Sequence, residues 1–492
     1  MSAGLSVERS RSRATVLARV RPWPLVVWTA MGGWSLALFA VVRNDYEDFR
    51  LGRFDLGNMT QAVWSTAHGR PLEVTSGTSE QIVRLGSHVD PILALLTPFW
   101  LIAPTPLTLA AVQIGATALG ALPVSWLARR HLGSEKAGGV AALAYLLYPW
   151  VAWTTLDAMH PVTFAIPLFL YAIWFLDNDR LWAFAVCGML ILATGELMGI
   201  PIAGLGAWYW LRQGRPKAGL AIIAAGVAWT TVCLALIIPA ARGDSSPFYD
   251  RFASVGGSPG GVVRTALTDP GAILSAISTA DDLSYVAWLA LPALGLFVLS
   301  PVLAAIALPQ LLVNTLSDSP PTTDPRAHYI AAVVPFVIAA SILGLARVRA
   351  PVRRRATVPL LAAFAALTLY LGPWLPMLET RSVGNHSAYP ASHVRAMHDA
   401  AALVPTGVPI SATNRFGSRL SSRRYIYSVP VVARAEWIVL DTWEPRLTRP
   451  DSTITHWEPA RFKAFWDRID GTAAWAKVFA RDGVVVYRKR EG

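Results

Sequence analysis

Residues 24–64 read PLVVWTAMGGWSLALFAVVRNDYEDFRLGRFDLGNMTQAVW. The first part, Pro24 to Val42, carries no charge and is close to the ~20 apolar residues that cross a bilayer as a helix. Arg9, Arg11, Arg13, Arg19 and Arg21 precede it. It outlasts the roughly 7–15-residue apolar core of a signal peptide, so the expectation is an uncleaved membrane helix behind a basic cytoplasmic segment, 1–22. At Arg43 the pattern reverses, and Asp45, Glu47, Asp48 and Asp55 follow in close order. A long loop rich in ionisable groups, 43–88, therefore opens on the far side of the membrane.

The rest of the chain agrees with this start. Of 492 residues, 54% are hydrophobic and 15% charged, against about 25% charged in soluble domains. The mean hydropathy is +0.42. This composition excludes a disordered chain and an ordinary soluble enzyme. Apolar runs at 23–42, 106–128, 137–153, 162–176, 181–194, 197–211, 218–240, 284–300, 301–316, 329–346 and 357–378 predict about eleven crossings and a transmembrane domain over 23–378. The segment 89–103 is short, with a proline near each end, and reads as interfacial or re-entrant. The segments then expected inside hold 17 Lys/Arg against four acids, the bias that sets membrane orientation. The net charge of +12 is thereby a matter of topology, and nucleic acid is not an expected partner. Cys187 and Cys233 lie inside apolar runs and read as core residues. From Glu379 on, short apolar strands (409–413, 424–429, 436–441 and a pair about Asp482-Gly483) alternate with a helix near 458–469. They predict an extracytoplasmic α/β domain, 379–492.

The outer segments of the membrane half hold nine arginines and sixteen acids, and topology does not require those acids. Asp55 starts an amphipathic helix and reads either as its N-cap or as a functional carboxylate. His88 and Asp90 precede the interfacial segment. Asp157 and His160 lie where the third span emerges, and Glu196 sits at the tip of the hairpin formed by 181–194 and 197–211. Asp324, Arg326, His328 and Tyr329 precede the tenth span. Ionisable groups at membrane depth are costly and tend to mark function. A carboxylate at an outer membrane surface suits glycosyl transfer from a lipid-phosphate sugar. A base takes the acceptor hydroxyl proton, and a cation or hydrogen-bond donor receives the charge that develops on the leaving phosphate. Asp55 is the candidate base. His88, Asp157, His160, Glu196, Arg326, His328 and Tyr329 are candidate substrate-binding residues, with Arg326, His328 or Arg242 receiving the phosphate charge. The ligand types admit a divalent metal, but no spacing fixes two of them together.

FDLGNMTQAVW (54–64), SHVDPILALLTPFW (87–100), DAMHP (157–161), TGELMG (194–199), AHYIAAVVPF (327–336) and ISATNRFGSRLSSRRYIY (410–427) resemble a bacterial family of predicted membrane proteins of unknown function. That family is usually placed in the GT-C superfamily of integral membrane glycosyltransferases. The resemblance covers most of the chain. It implies a GT-C-like polytopic α-helical membrane fold with a C-terminal extracytoplasmic α/β domain, in the plasma membrane. It also implies a first-loop acid in a catalytic or metal-binding role. Asp55 matches that position best, and the pair Glu47-Asp48 is the alternative. The hairpin tip has Gly195-Glu196 where many relatives pair an acid with a cation or a second acid.

The expected function is an inverting transferase that uses a polyprenyl-phosphate-linked sugar donor and a glycan, lipid or protein acceptor in cell-envelope assembly. The alternatives are a transporter or flippase of lipid-linked saccharides, and a scaffold whose C-terminal domain binds polymers. The inverted repeats and broken mid-membrane helices of transporters are not evident. Arg415, Arg419, Arg423 and Arg424 read either as a contact for anionic glycan or headgroups, or as a solvated basic surface.

Overall fold

The uncharged run and the acidic stretch behind it form one helix, Pro22–Glu47, in a computed structural model that describes residues 22–77, 79–157, 159–244, 246, 248–380, 389–444 and 459–490. Val27, Met31, Trp34, Leu38, Val41 and Val42 make one buried stripe at helical spacing, and Leu25, Trp28 and Leu36 on the other side are exposed, as a lipid-facing surface requires. The basic segment expected before this helix lies outside the described residues. Three more helices are long and apolar enough to cross a membrane: Pro106–Leu132, Pro216–Arg242 and Ala350–Leu371. The pair Glu135–Leu147 and Pro149–Leu156, bent by 45°, is together long and apolar enough to be a broken span or a re-entrant loop. Pro149 accounts for the bend, since the residue before a proline is driven out of helical geometry, and Tyr148 has ψ 122°.

Eleven uninterrupted spans are not what the described residues contain. The expected span 284–300 is the helix Ala280–Ala290 followed by two 3-10 turns, Leu291–Ala293 and Leu296–Leu299. Pro292 opens the first turn, and Leu294 and Gly295 take left-handed backbone angles, so the helix cannot continue. The run 301–316 is likewise divided, with Pro309 at the start of its last helix, Leu308–Thr315. The segments Pro161–Asp177, Leu181–Leu192 and Val334–Arg347 are apolar but short. The hairpin survives as expected, with Glu196 opening a 3-10 turn between Leu181–Leu192 and Gly199–Gln213. Cys233 is buried and Cys187 partly so.

The C-terminal strands form a five-stranded sheet. We label β1 as Glu73–Thr75 and β2 as Gln81–Val83, a hairpin in the first loop, then β3 as Ile410–Ala412, β4 as Ile426–Ser428, β5 as Trp437–Asp441, β6 as Trp475–Arg481 and β7 as Val484–Lys489. The sheet order is β4-β3-β5-β7-β6, parallel among the first three and antiparallel from β5 to β7 and β6. The strand expectations of the sequence are met, and the helix near 458–469 is Pro459–Asp470.

This sheet is clamped to the first loop. Phe49 belongs to the loop yet is fully buried in the sheet's apolar core, edge-on to Phe416 at 5.3 Å. Arg53 is 1% exposed. Its guanidinium donates to the Thr75 carbonyl at 2.6 Å and to Ser428 Oγ, and its backbone N–H donates to Asn414 Oδ1 at 2.9 Å. Gln61 donates to the Arg424 carbonyl at 2.8 Å. Three of the four basic residues are therefore not a solvated surface, since Arg415 and Arg423 are buried and Arg419 pairs with Glu47, while Arg424 stays exposed and pairs with Glu73 at 3.3 Å.

The closeness of this joint sets its test. A Cβ at Gly417 would lie 2.1 Å from Arg53 Cβ, whereas one at Gly32 would meet nothing within 4 Å. Gly417→Ala is expected to lower stability by about 1–3 kcal/mol through overpacking, read as a fall in the thermal midpoint of the solubilised protein. Gly32→Ala is the neutral or slightly stabilising control.

Candidate functional site

Three separate stretches meet beside this joint. Helix Pro149–Leu156 ends at Asp157, and Pro161 opens the next turn. His160 is thereby a pre-proline residue, held extended at φ −126° and ψ 125°. His328 opens a 3-10 turn ahead of Val334–Arg347. Asp55 lies in the π-turn Arg53–Gly57, with φ −100° and ψ −105°. The helix behind it, Asn58–Ala67, begins only after Gly57 and has no side-chain cap, so Asp55 is not an N-cap.

The Asp157 carboxylate receives two bonds from one residue: the His328 backbone N–H at 2.8 Å, and His328 Nδ1 at 2.9 Å, on the same oxygen. His160 Nδ1 is 2.7 Å from the Asp157 carbonyl oxygen, and the His160 backbone N–H donates to Gln113 Oε1 at 2.9 Å. A carbonyl or an ionised carboxylate only accepts, so both Nδ1 atoms carry protons and both Nε2 atoms are left without these partners. The two imidazoles stack with centroids 3.6 Å apart and planes 14° apart. His160 Nε2 then faces Asp55 Oδ1 at 3.9 Å, one bridging group away from a hydrogen bond.

The electrostatics separate the two acids. Burial works against the Asp157 charge, but the His328 hydrogen bond and the two imidazoles outweigh it and hold the carboxyl at about 2. Burial pushes His328 down to about 4, with the His160 charge adding to the effect, so this ring is neutral at physiological pH. Asp55 moves the opposite way from Asp157. Desolvation raises its carboxyl above the usual range, His160 pulls it back, and Asp157 adds to the rise. Asp157 is thereby held as an anion while Asp55, whose side chain is 42% exposed, is shifted the other way, a contrast common at sites of acid–base chemistry.

The other expected residues join the cluster through a chain of ring contacts. Tyr329 lies 4.2 Å from the His328 ring, and its hydroxyl is 3.2 Å from Arg251 Nη1. Arg251 sits over Phe248 at 4.7 Å, Phe248 stacks on His88 at 4.4 Å, and His88 Nδ1 is 3.2 Å from Glu196 Oε1. Glu196 also accepts the Val89 backbone N–H at 3.1 Å. Asp55, Asp157, His160, His328, Tyr329, His88 and Glu196 thus form one contiguous array. Glu47 and Asp48 do not belong to it, being paired with Arg419 and Arg50. Asp90 is locked in a buried pair with Arg84 at 2.7 Å. Arg326 donates to both oxygens of Asp324, so its charge is already matched, and Arg242 is exposed, packed by its Cβ against Gly86.

Sequence reading missed Arg251, Phe248 and Gln113. Arg251 is the cation of the array, and among the described residues its guanidinium has no carboxylate partner. The run FYDRF, 248–252, carried the signal, an arginine among aromatics on a loop. Gln113 was visible as a lone amide in the apolar run 106–119.

Asp157, His160 and His328 offer ligand atoms within 4.8 Å of one another. As folded they suit a metal poorly, since both Nδ1 atoms are engaged and stacked rings point their lone pairs side by side. A cation there needs the rings to splay.

Beside the array runs a groove of about 1140 Å³ lined by Trp153, Trp288, Tyr370, Asp281, Asp318 and Arg326, among others. Arg326 is two residues from His328, and Trp153 is four from Asp157.

No curated protein matches this chain. Among solved structures it is similar to the crystal structure of ArnT from Cupriavidus metallidurans bound to undecaprenyl phosphate. The TM-score is 0.52 and the identity 14%, over 94% of this chain and 97% of that one. The GT-C-like membrane fold expected from the sequence is the fold observed. Residues 45–479 match the family described as predicted membrane protein (DUF2079), and the chain belongs to that family.

Proposed function

We propose that the protein is an inverting glycosyltransferase that moves a sugar from a polyprenyl-phosphate donor to an acceptor hydroxyl on the extracytoplasmic face of the plasma membrane, in cell-envelope glycan assembly. The observation that carries this reading is the array itself: a carboxyl shifted upward at one end, a guanidinium with no carboxylate partner among the described residues further along, and two stacked imidazoles between them. The basic inner loops support a cytoplasmic N-terminus and an extracytoplasmic C-terminal domain, with about eleven crossings once short and broken helices are counted. The lipid phosphate bound to the ArnT structure supports a ligand of that class here.

In this mechanism Asp55 takes the acceptor O–H proton as the oxygen bonds to the anomeric carbon. The bond from that carbon to the phosphate oxygen breaks, and the electron pair leaves on the lipid phosphate. His160 Nε2, 3.9 Å from Asp55, is placed to hydrogen-bond the protonated carboxyl. Asp157 holds both imidazoles in the tautomer that leaves Nε2 free. Arg251 and the Tyr329 hydroxyl receive the charge developing on the phosphate.

The direct test follows radiolabel from a polyprenyl-phosphate sugar into membrane glycan. Asp55→Asn is expected to lower transfer at least ~100-fold, within the range of general-base catalysis, with unchanged insertion and thermal midpoint. Full activity in that variant removes Asp55 from the reaction. Arg251→Ala is expected to raise the KM for donor or lower kcat about tenfold or more, with Arg251→Lys recovering part of the loss, because lysine keeps the charge but not the fork. The pH profile follows from the shifts: the base must be ionised, so kcat/KM falls as pH drops through an acid limb above the ordinary carboxylate value of about 4. His328 remains neutral down to about 4 and adds no limb near neutrality.

A further inference from the structure

The groove beside the array has its own chemistry. Four aspartates, Asp281, Asp282, Asp318 and Asp324, line it against a single cation, Arg326, and Asp324 already engages that cation. Asp282 is tied up in a capping box and Asp318 in bonds to Ser254. Asp281 is exposed and has no ion-pair partner among the described residues. Such a lining repels phosphate, so the groove is badly suited to the head of the donor.

Its other wall is aromatic and stands at the end of a helix long and apolar enough to cross a membrane. Trp288 is 37% exposed and Tyr370 76%. The indoles of Trp150 and Trp153 are fixed by bonds to the carbonyls of Trp288 at 3.0 Å and Leu371 at 2.8 Å, so the wall is built before any ligand arrives. Leu369, Tyr370 and Leu371 end the helix Ala350–Leu371, which is largely exposed. An occupant therefore approaches from the bilayer. Three segments serve both groove and array: Trp153 leads to Asp157, Arg326 leads to His328, and Arg251 leads to Ser254, with the Arg251 carbonyl accepting the Asp318 N–H at 2.6 Å.

We propose that this groove binds the acceptor, and that the acceptor is a lipid-anchored sugar headgroup bearing no net negative charge. Aromatic faces take the C–H surfaces of sugar rings, carboxylates accept hydrogen bonds from hydroxyls, and the same carboxylates exclude anionic headgroups. The inference rests on the transferase reading, since it names the second substrate of that reaction.

Binding is measured on the full-length solubilised protein carrying Asp55→Asn, so that the result does not depend on turnover. The probes are short-chain diglucosyl diacylglycerol, short-chain phosphatidylglycerol and undecaprenyl phosphate, titrated by microscale thermophoresis. The expected result is binding of the neutral glycolipid about tenfold or more tighter than phosphatidylglycerol. Trp288→Ala should weaken it about fivefold or more at unchanged thermal midpoint, and Asp281→Lys should narrow or reverse the preference. Equal or tighter binding of phosphatidylglycerol overturns the proposal. So does indifference to Trp288→Ala, or competition by undecaprenyl phosphate for the glycolipid site. If the glycolipid binds as described while labelled donor yields no transfer in the parent protein, the groove assignment stands and the transferase reading falls. If transfer proceeds while the groove variants change neither binding nor acceptor KM, the groove assignment falls alone.

Discussion

A single arginine ties the molecule together. Arg53 is charged, almost wholly enclosed, and without a carboxylate partner among the described residues. Burial lowers its pKa only to about 10, so it keeps its proton at physiological pH. Holding an unpaired charge inside a protein costs several kcal/mol unless hydrogen bonds compensate. Thr75 on the first-loop hairpin and Ser428 on the C-terminal sheet supply those bonds. The sheet, the hairpin and the π-turn are thus bound in one place, two residues from Asp55. Where Asp55 points is a consequence of how the C-terminal sheet docks.

The same logic gives that sheet a role that its composition does not suggest. Phe49 fills its core and Glu47 pairs with Arg419, so the helix Pro22–Glu47 runs from the membrane directly into the docking surface. A shift of the sheet would be felt at the π-turn, and from there at the 3.9 Å separation between Asp55 and His160. The imidazoles hold their side of that gap independently, through Asp157 and the stacked geometry. The site is therefore assembled from a membrane half that sets the rings and a loop half that sets the acid.

Much of this was legible in the chain. Membrane character, the hairpin at Glu196, the strands of the C-terminal sheet and most members of the array followed from residue type and from which side of an apolar run each residue falls on. What escaped was geometry created by tertiary contact. Nothing in the spacing of Asp55 and His160 says that they meet, because the loop closure between them depends on Arg53. The basic residues 415–424 read as surface because arginine usually is surface, yet here they hold the joint. Arg251 was passed over because its loop lacks periodicity, and the run 284–300 read as a span because hydropathy does not weigh the breaks at Pro292 and Gly295.

The account is tested most directly by a cryo-electron microscopy structure of the protein in lipid nanodiscs with a non-hydrolysable polyprenyl-phosphate sugar. The phosphate should lie against Arg251 and the Tyr329 hydroxyl, with the anomeric carbon between it and Asp55. A phosphate bound elsewhere, with Asp55 turned away from the sugar and the His160–His328 stack intact but unoccupied, would contradict it.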